Sequence, residues 1–554
     1  MTLTAADDPT IVTSSDGVGR LSQVEDVELL IRGGTVIDGS GGPRRAGTVA
    51  VSAGRLRMLA EDPGSLRAAR TVDATGLVVA PGFIDLHSHS GLMVLADPRH
   101  EPKLRQGVTT EVIGVDGNAY APFASRADLL AFVRLNAGLD GIPELAYDWG
   151  SVASYLSRFD RRVSVNLCLL VGNSALRIDA LGWDDVPADR SALDRMRGLL
   201  RESMEEGAFG VSSGLDYAPG AFATTDELAE LTEEAARLGG IYHTHVRYAL
   251  GDRFLDPFRE AVEIGRRGQG PVHLTHFYHR ATYPGPPEQM LGLVDDARAS
   301  GQDVTFDSYP YEWASTRMLI MLPPWTQAGG PEPTMARLAD RAVRDRLRQE
   351  IGVRGRSYAG ADPWDDLRMG YFGRPENAPW EGRTLGDYMR QTGLDAVDAI
   401  CDLLLAEDLR VNQVTPGPWT GGLAPFLKHP VAMIGTDSTF VGRKPSPRTY
   451  GSFPRILGQF VRDMRLMPLE EAVRKMTAAP AARLGLRQRG LLRDGMVADV
   501  VLFDPSTVRA TATYEEPRQF PEGIPYVLVN GEFVVDGGVH TGATPGVALR
   551  RGQA

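Results

Sequence analysis

Pro81-Gly82-Phe83-Ile84-Asp85-Leu86-His87-Ser88-His89 is the stretch whose reading decides the fold. Ahead of it, Gly76-Leu77-Val78-Val79-Ala80 is a short apolar run that enters a Pro-Gly turn signal. Phe83 to Leu86 then reads as a second strand closed by His-x-His. Residues two apart on a strand face the same side, so His87 and His89 project together, about 6–7 Å apart. Two imidazoles so placed at the end of a buried strand can grip one metal ion, and zinc is the commonest ion for such nitrogen ligands.

Downstream, short apolar runs alternate with helical stretches, the pattern of a parallel sheet with crossover helices. The runs begin at Val108, Val163, Gly207, Gly240, Pro271, Val304 and Val431. With Phe83 they make eight, which favours a closed (β/α)8 TIM-like barrel with its chemistry at the carboxyl ends of the strands. Residues from about 325 to 420 interrupt the last two units and read as an insertion over the barrel mouth. Metal-competent side chains recur at strand ends: His87 and His89 on the first, Asp116 just past the second, His245 on the fifth, His276 on the sixth and Asp437 on the eighth. Four of the protein's ten histidines belong to this set. Of the others, His273 has the opposite strand parity to His276 and reads as a core histidine, while His429, beside Pro430, reads as a loop residue.

The flanks differ from this middle. Residues 27 to about 75 alternate and break at glycines, as short antiparallel strands do, and a matching set runs from Ala498 to Val535. Each is too small to bury a core alone, so the expected architecture is a β-sandwich assembled from both ends around an inserted barrel. The division is a disordered tail at 1–25, sandwich halves at 26–80 and 481–554, and the barrel at 81–480.

Hydrophobic residues at 43% and charged residues at 23% are ordinary for a soluble globular chain. A formal charge of −12 without a basic stripe argues against nucleic acid as a partner. No apolar run is long enough for a membrane span, and the N-terminus resembles no signal peptide. Cys168 and Cys401 match no zinc or redox spacing and suit a reducing compartment, so a cytoplasmic location is expected. Homo-oligomerisation stays open.

Histidine and carboxylate ligands around a divalent ion bring the pKa of bound water toward neutrality. A carboxylate touching that water can take its proton and pass it to a leaving nitrogen, and Asp437 is the candidate. Gly210-Val211-Ser212-Ser213-Gly214 has the Gly-x-Ser-x-Gly form but no strand-to-helix elbow with a partner histidine, so its serines read as rim residues.

Nearly all of residues 27 to 540 resembles the amidohydrolase superfamily and, within it, the D-aminoacylase (N-acyl-D-amino-acid deacylase) family. The resemblance rests on the His-x-His stretch, Gln106-Gly107-Val108-Thr109-Thr110, Ser212-Ser213-Gly214-Leu215-Asp216-Tyr217, His245-Val246-Arg247, Asp307-Ser308-Tyr309-Pro310-Tyr311, Leu322-Pro323-Pro324-Trp325, Ile434-Gly435-Thr436-Asp437, Tyr450-Gly451-Ser452-Phe453-Pro454-Arg455 and Arg489-Gly490-Leu491-Leu492. It implies one or two divalent ions, zinc by preference, at His87, His89, a strand-two ligand, His245, His276 and Asp437. It also implies a clamp for a substrate α-carboxylate built from Tyr309 or Tyr311, Ser315 and Arg448. Two departures stand out. Asp116 occupies the place of the family's usual cysteine, and a carboxylate is a harder ligand than a thiolate that can bridge two ions. Tyr278 occupies the place of a lysine that belongs to the clamp.

The expected activity is hydrolysis of an N-acyl-D-amino acid or related small-molecule amide by metal-activated water. The alternatives are the same site acting on a cyclic amide, a carbamate or a peptide-like natural product, and a barrel without catalysis that serves as a binding subunit.

Overall fold

The computed structural model describes residues 25–60, 66–248, 253–280, 282–359 and 363–553. The tail expected over residues 1–25 lies outside them but for its last residue. Eight parallel strands follow one another around the barrel: Phe83–Asp85, Val108–Ile113, Asn166–Leu169 continued by Val171–Gly172, Gly210–Gly214, Ile241–His245, Val272–Leu274, Val304–Ser308 and Ala432–Ile434. Each pairs in parallel with the next. A parallel bridge between Ser88 and Ser438 returns the eighth to the first, and the Asp437 N–H donates to the His87 carbonyl at 2.8 Å. The strands are buried on both faces, which is why they read as continuous apolar runs.

Crossover helices cover them with an apolar stripe. Arg190–Glu205 buries Ala192, Met196, Leu200 and Met204 at helical spacing and starts at Asp189, whose carboxylate accepts from the Ala192 N–H. Thr225–Arg237 starts in the same way at Thr224.

Beneath the first and eighth strand ends lies a buried polar knot. Lys103 contacts Asp85, lies 2.9 Å from Glu111 and donates to Thr436 at 2.6 Å. Glu111 in turn accepts from Ser90 and meets His100 at 2.9 Å. Asp85 accepts from the backbone N–H groups of His87 and Thr436, so one carboxylate ties both strand ends together. Lys103→Met leaves two buried carboxylates without their cation and is expected to destabilise the fold by about 3–5 kcal/mol, read by urea denaturation. A loss below 1 kcal/mol would mean the knot is dispensable.

Strands from both ends of the chain hydrogen-bond into one nine-stranded sheet. Its join is the antiparallel pairing of Val78–Pro81 with Val500–Phe503. The two-residue period sorts the side chains: Val79, Val500, Leu502 and Leu528 fill the sheet's own core, while Val78, Ala80, Val501, Phe503 and Val527 pack toward the barrel. The first strand, Glu25–Val36, is a single element with a register shift between Ile31 and Gly34.

The insertion begins earlier than residue 325. Trp313–Arg317 already leaves the barrel and pairs antiparallel with Val411–Pro416, which also pairs with Arg368–Phe372. After Trp313 the strand runs Ala-Ser-Thr-Arg with no apolar alternation, which leaves no strand signal to read. Helices Pro331–Ala339, Arg341–Ala359, Leu385–Thr392 and Ala396–Ala406 complete this unit. No helix among the described residues is long and apolar enough to cross a membrane.

Candidate metal centre

Six side chains from five strand ends meet at one rim of the barrel. His87 and His89 lie with ring centres 5.5 Å apart. One oxygen of Asp116, Oδ2, sits 3.2 Å from His87 Nε2, 3.6 Å from His89 Nε2, and 3.7 Å from both His245 Nδ1 and His276 Nε2. Asp437 Oδ1 lies 3.3 Å from His89 Nε2 and 3.6 Å from His87 Nε2. The donor atoms form two sets that could each hold an ion: His87, His89, Asp116 and Asp437, and Asp116, His245 and His276. Asp116 belongs to both.

The second nitrogen of each imidazole faces a fixed partner. His87 Nδ1 is 3.6 Å from Asp307, His89 Nδ1 is 3.9 Å from Asp140, His245 Nε2 is 3.3 Å from Asp216, and His276 Nδ1 is 2.9 Å from the Tyr248 hydroxyl. The His245 and His276 partners lie within hydrogen-bonding distance, where such outer groups fix ring orientation and raise ligand basicity. Asp307 also accepts from the His276 N–H at 2.9 Å and meets His273 at 3.0 Å. His243 stacks on His273 and reaches the Leu86 carbonyl, so these two histidines support the floor. His429 lies outside the site against Asp295.

The electrostatics fit a cation. Burial alone would lower the histidine pKa values, yet Asp116, Asp437 and Asp307 outweigh it and hold His87 well above its ordinary value. Against the same burial, Asp116 and Asp437 lift His89 to about 9, and Asp116 and Asp216 lift His245 to about 9. His276 goes the other way, lowered by burial and by its neighbour His245 at 2.9 Å. Buried carboxylates here call for positive charge, which the imidazoles supply when protonated and a divalent ion would supply in their place.

Left-handed backbone recurs at three of the site residues. Asp116, His276 and Asp437 hold positive φ angles of 52°, 34° and 47°, each costing about 1–3 kcal/mol. Gly214 meets the first of these closely: a Cβ there would stand 2.0 Å from the Asp116 carbonyl oxygen.

The cleft above is lined by Tyr217, Tyr248, Tyr278, Arg280, Tyr309 and Ser315 together with His245, His276, Asp116 and Asp437. Its roof comes from the inserted sheet through Ala314, Thr316, Gln413 and Thr415. The open space is about 40 Å³, room for little more than one water. A larger hollow of about 640 Å³, walled by Leu457, Phe503 and Val508, has no histidine or carboxylate in its lining.

Tyr278, Tyr309 and Ser315 line the cleft. Tyr311 does not: the strand ends at Ser308, alternation fails through Pro310, and the Tyr311 ring lies under Arg455 at 4.3 Å. Arg448 is fully buried and turned to Asp437, with Nη1 2.9 Å from Asp437 Oδ2 and Nη2 donating to the Ser315 carbonyl at 3.0 Å. Asp140, Asp307, Tyr248 and Arg280 carry no role in the sequence reading. Only Asp307, at the end of an apolar run, offered a positional signal.

The model of the amidohydrolase family matches residues 70–535. The chain is 35% identical to an N-acyl-D-aspartate deacylase of Alcaligenes xylosoxydans xylosoxydans, over 95% of this chain and 96% of that one. It is 34% identical to a D-aminoacylase of the same organism, over 96% and 99%. The N-acyl-D-glutamate deacylase of Bordetella bronchiseptica, solved with zinc and a phosphonate inhibitor that mimics the reaction's tetrahedral intermediate, superposes with a TM-score of 0.79 at 31% identity, covering 95% of this chain and all of that one.

Proposed function

We propose, because this chain belongs to the amidohydrolase family, that it hydrolyses the amide bond of an N-acyl-D-amino acid. The observation that carries the reading is the convergence of four imidazoles on one Asp116 oxygen, with Asp437 beside them at the cleft. His87, His89, Asp116, His245, His276 and Asp437 would hold one or two zinc ions. A divalent ion there would supply Lewis acidity, which acidifies water and polarises the amide carbonyl.

The chain's own residues do the rest. Burial would raise the Asp437 carboxyl pKa, but Arg448 and then His87 hold it below the usual carboxylate range, so Asp437 stands ready as a base. It takes the proton of the attacking water and returns it to the leaving nitrogen. Tyr278, Tyr309 and Ser315 offer hydroxyls to the substrate. The inserted sheet shuts out bulk solvent once the substrate is seated. Cys168 and Cys401 are buried free thiols, which supports a reducing, cytoplasmic setting.

The test is turnover of N-acetyl-D-amino acids, their L-enantiomers, a cyclic amide and a carbamate by zinc-loaded protein. Prolonged dialysis against a chelator is expected to remove activity on the N-acetyl-D-amino acids, and added zinc to restore it. Full activity in protein shown to be metal-free, or turnover confined to the cyclic amide or carbamate, would reject the proposal.

A further inference from the structure

The hollow of about 640 Å³ opens where the barrel meets the nine-stranded sheet, and it shares no lining residue with the cleft at the metal centre. Its walls are apolar: Leu457 and Val461 from the π-helical segment Ile456–Asp463, Leu466 and Leu469 from the chain that follows, and Phe503 and Val508 from the sheet side. Phe503 packs against Phe83, which opens the first barrel strand, with ring centres 6.3 Å apart. Gly458 lets the π-helical turn close on the opposite wall, since a Cβ there would stand 2.6 Å from the Val508 carbonyl oxygen.

Four cations and no carboxylate join these walls: Arg44, Lys428, Arg462 and Arg465. Two are neutralised, Arg44 by Glu470 at 2.6 Å and Arg462 by Asp463 at 2.8 Å. Lys428 and Arg465 pair with no carboxylate among the described residues. Arg465 is also held against its backbone preference. It follows the π-helical segment with φ at 53°, and the Leu466 N–H closes the turn onto the Phe460 carbonyl at 2.8 Å. Glycine is the usual residue at a left-handed position after a helix. An arginine there sets a cation on the cavity wall at the expense of local stability.

We propose that this cavity binds an aliphatic carboxylate, its chain between Leu457, Phe503 and Val508 and its head group between Lys428 and Arg465. Apolar cavities of about 300–1,000 Å³ with a few placed polar groups are the usual form of a small-molecule site. Two uncompensated cations select the sign of the head group: an anion relieves their mutual repulsion and a second cation would add to it. The guanidinium offers paired donors that match a carboxylate, and the lysine adds a point charge. The π-helical turn, a rare form that recurs at functional sites, supplies two of the apolar walls.

The experiment titrates the zinc-loaded full chain with hexanoate, octanoate, decanoate and octan-1-ol by calorimetry. Octanoate is expected to bind saturably, with affinity rising about two- to fourfold per added methylene, and octan-1-ol to bind at least about tenfold more weakly. Arg465→Gly combined with Lys428→Gln should weaken octanoate about 10–100-fold. Glycine suits the backbone at 465, so the melting temperature should hold or rise and the lost affinity is not a folding defect. Val461→Trp, which fills the cavity, should abolish binding, while turnover at the metal centre stays within about twofold of wild type in every folded variant. Absence of saturable binding, indifference to chain length, or equal affinity for the alcohol would overturn the proposal. Undiminished binding in the double variant would place the bound acid elsewhere, the metal centre included, and overturn it too. Binding to phosphatidylglycerol vesicles without binding of the free acids would make the cavity a lipid contact and reject the proposal as stated.

Discussion

Asp437→Asn is expected to lower kcat about 10³–10⁴-fold while leaving metal content and far-UV circular dichroism close to wild type. The amide keeps the side chain's shape and one oxygen that can face an ion, but it cannot take a proton from water. The Arg448 ion pair at 2.9 Å is lost with it, so a fall in melting temperature accompanies the loss of activity. Kinetics together with elemental analysis distinguish the two effects. Activity within tenfold of wild type, at equal metal content, would remove Asp437 from the proton-transfer role.

The second large effect is at Asp116. Its Oδ2 is the atom the four imidazoles share, so Asp116→Ala empties the middle of both donor sets at once. Removing an outer partner of a metal ligand costs roughly 10–100-fold in affinity, and loss of this central carboxylate should exceed that. Zinc titration should show weaker binding at every site, with turnover falling in proportion to bound metal. Asp116→Cys, which installs the softer ligand that the family resemblance places here, should keep zinc while weakening harder divalent ions. Undiminished zinc affinity in Asp116→Ala would show that the carboxylate only fills space.

Much of this site was legible because a barrel writes its chemistry at regular places. A strand buried on both faces reads as a short apolar run, and its carboxyl end is where His245 and Asp437 stand out. Asp116 was legible for a different reason: it follows Gly114 at the second strand end and substitutes for an expected cysteine. What stayed hidden lies on loops, where no period constrains a side chain's direction. Tyr248 and Arg280 belong there, and their approach to His276 depends on the fold of two crossovers rather than on any local pattern. Tyr311 and Arg448 illustrate the converse. Tyr311 sits in a recognisable motif and Arg448 just ahead of one, yet the first has left the strand and the second answers to Asp437. The left-handed backbone at Asp116, His276 and Asp437 is equally invisible in sequence, since none is a glycine and the surrounding packing imposes it.

The strand at Val78–Pro81 waits for Val500–Phe503, a partner more than four hundred positions later. At ordinary translation speeds of 5–20 residues per second that interval is roughly 20–80 s. Throughout it, the early strands would present an unpaired, valine-rich edge to solvent while the barrel is made. Biosynthesis is therefore the stage at which this protein is most exposed to aggregation, and chaperone supply during expression should govern its yield more than the stability of the finished fold does.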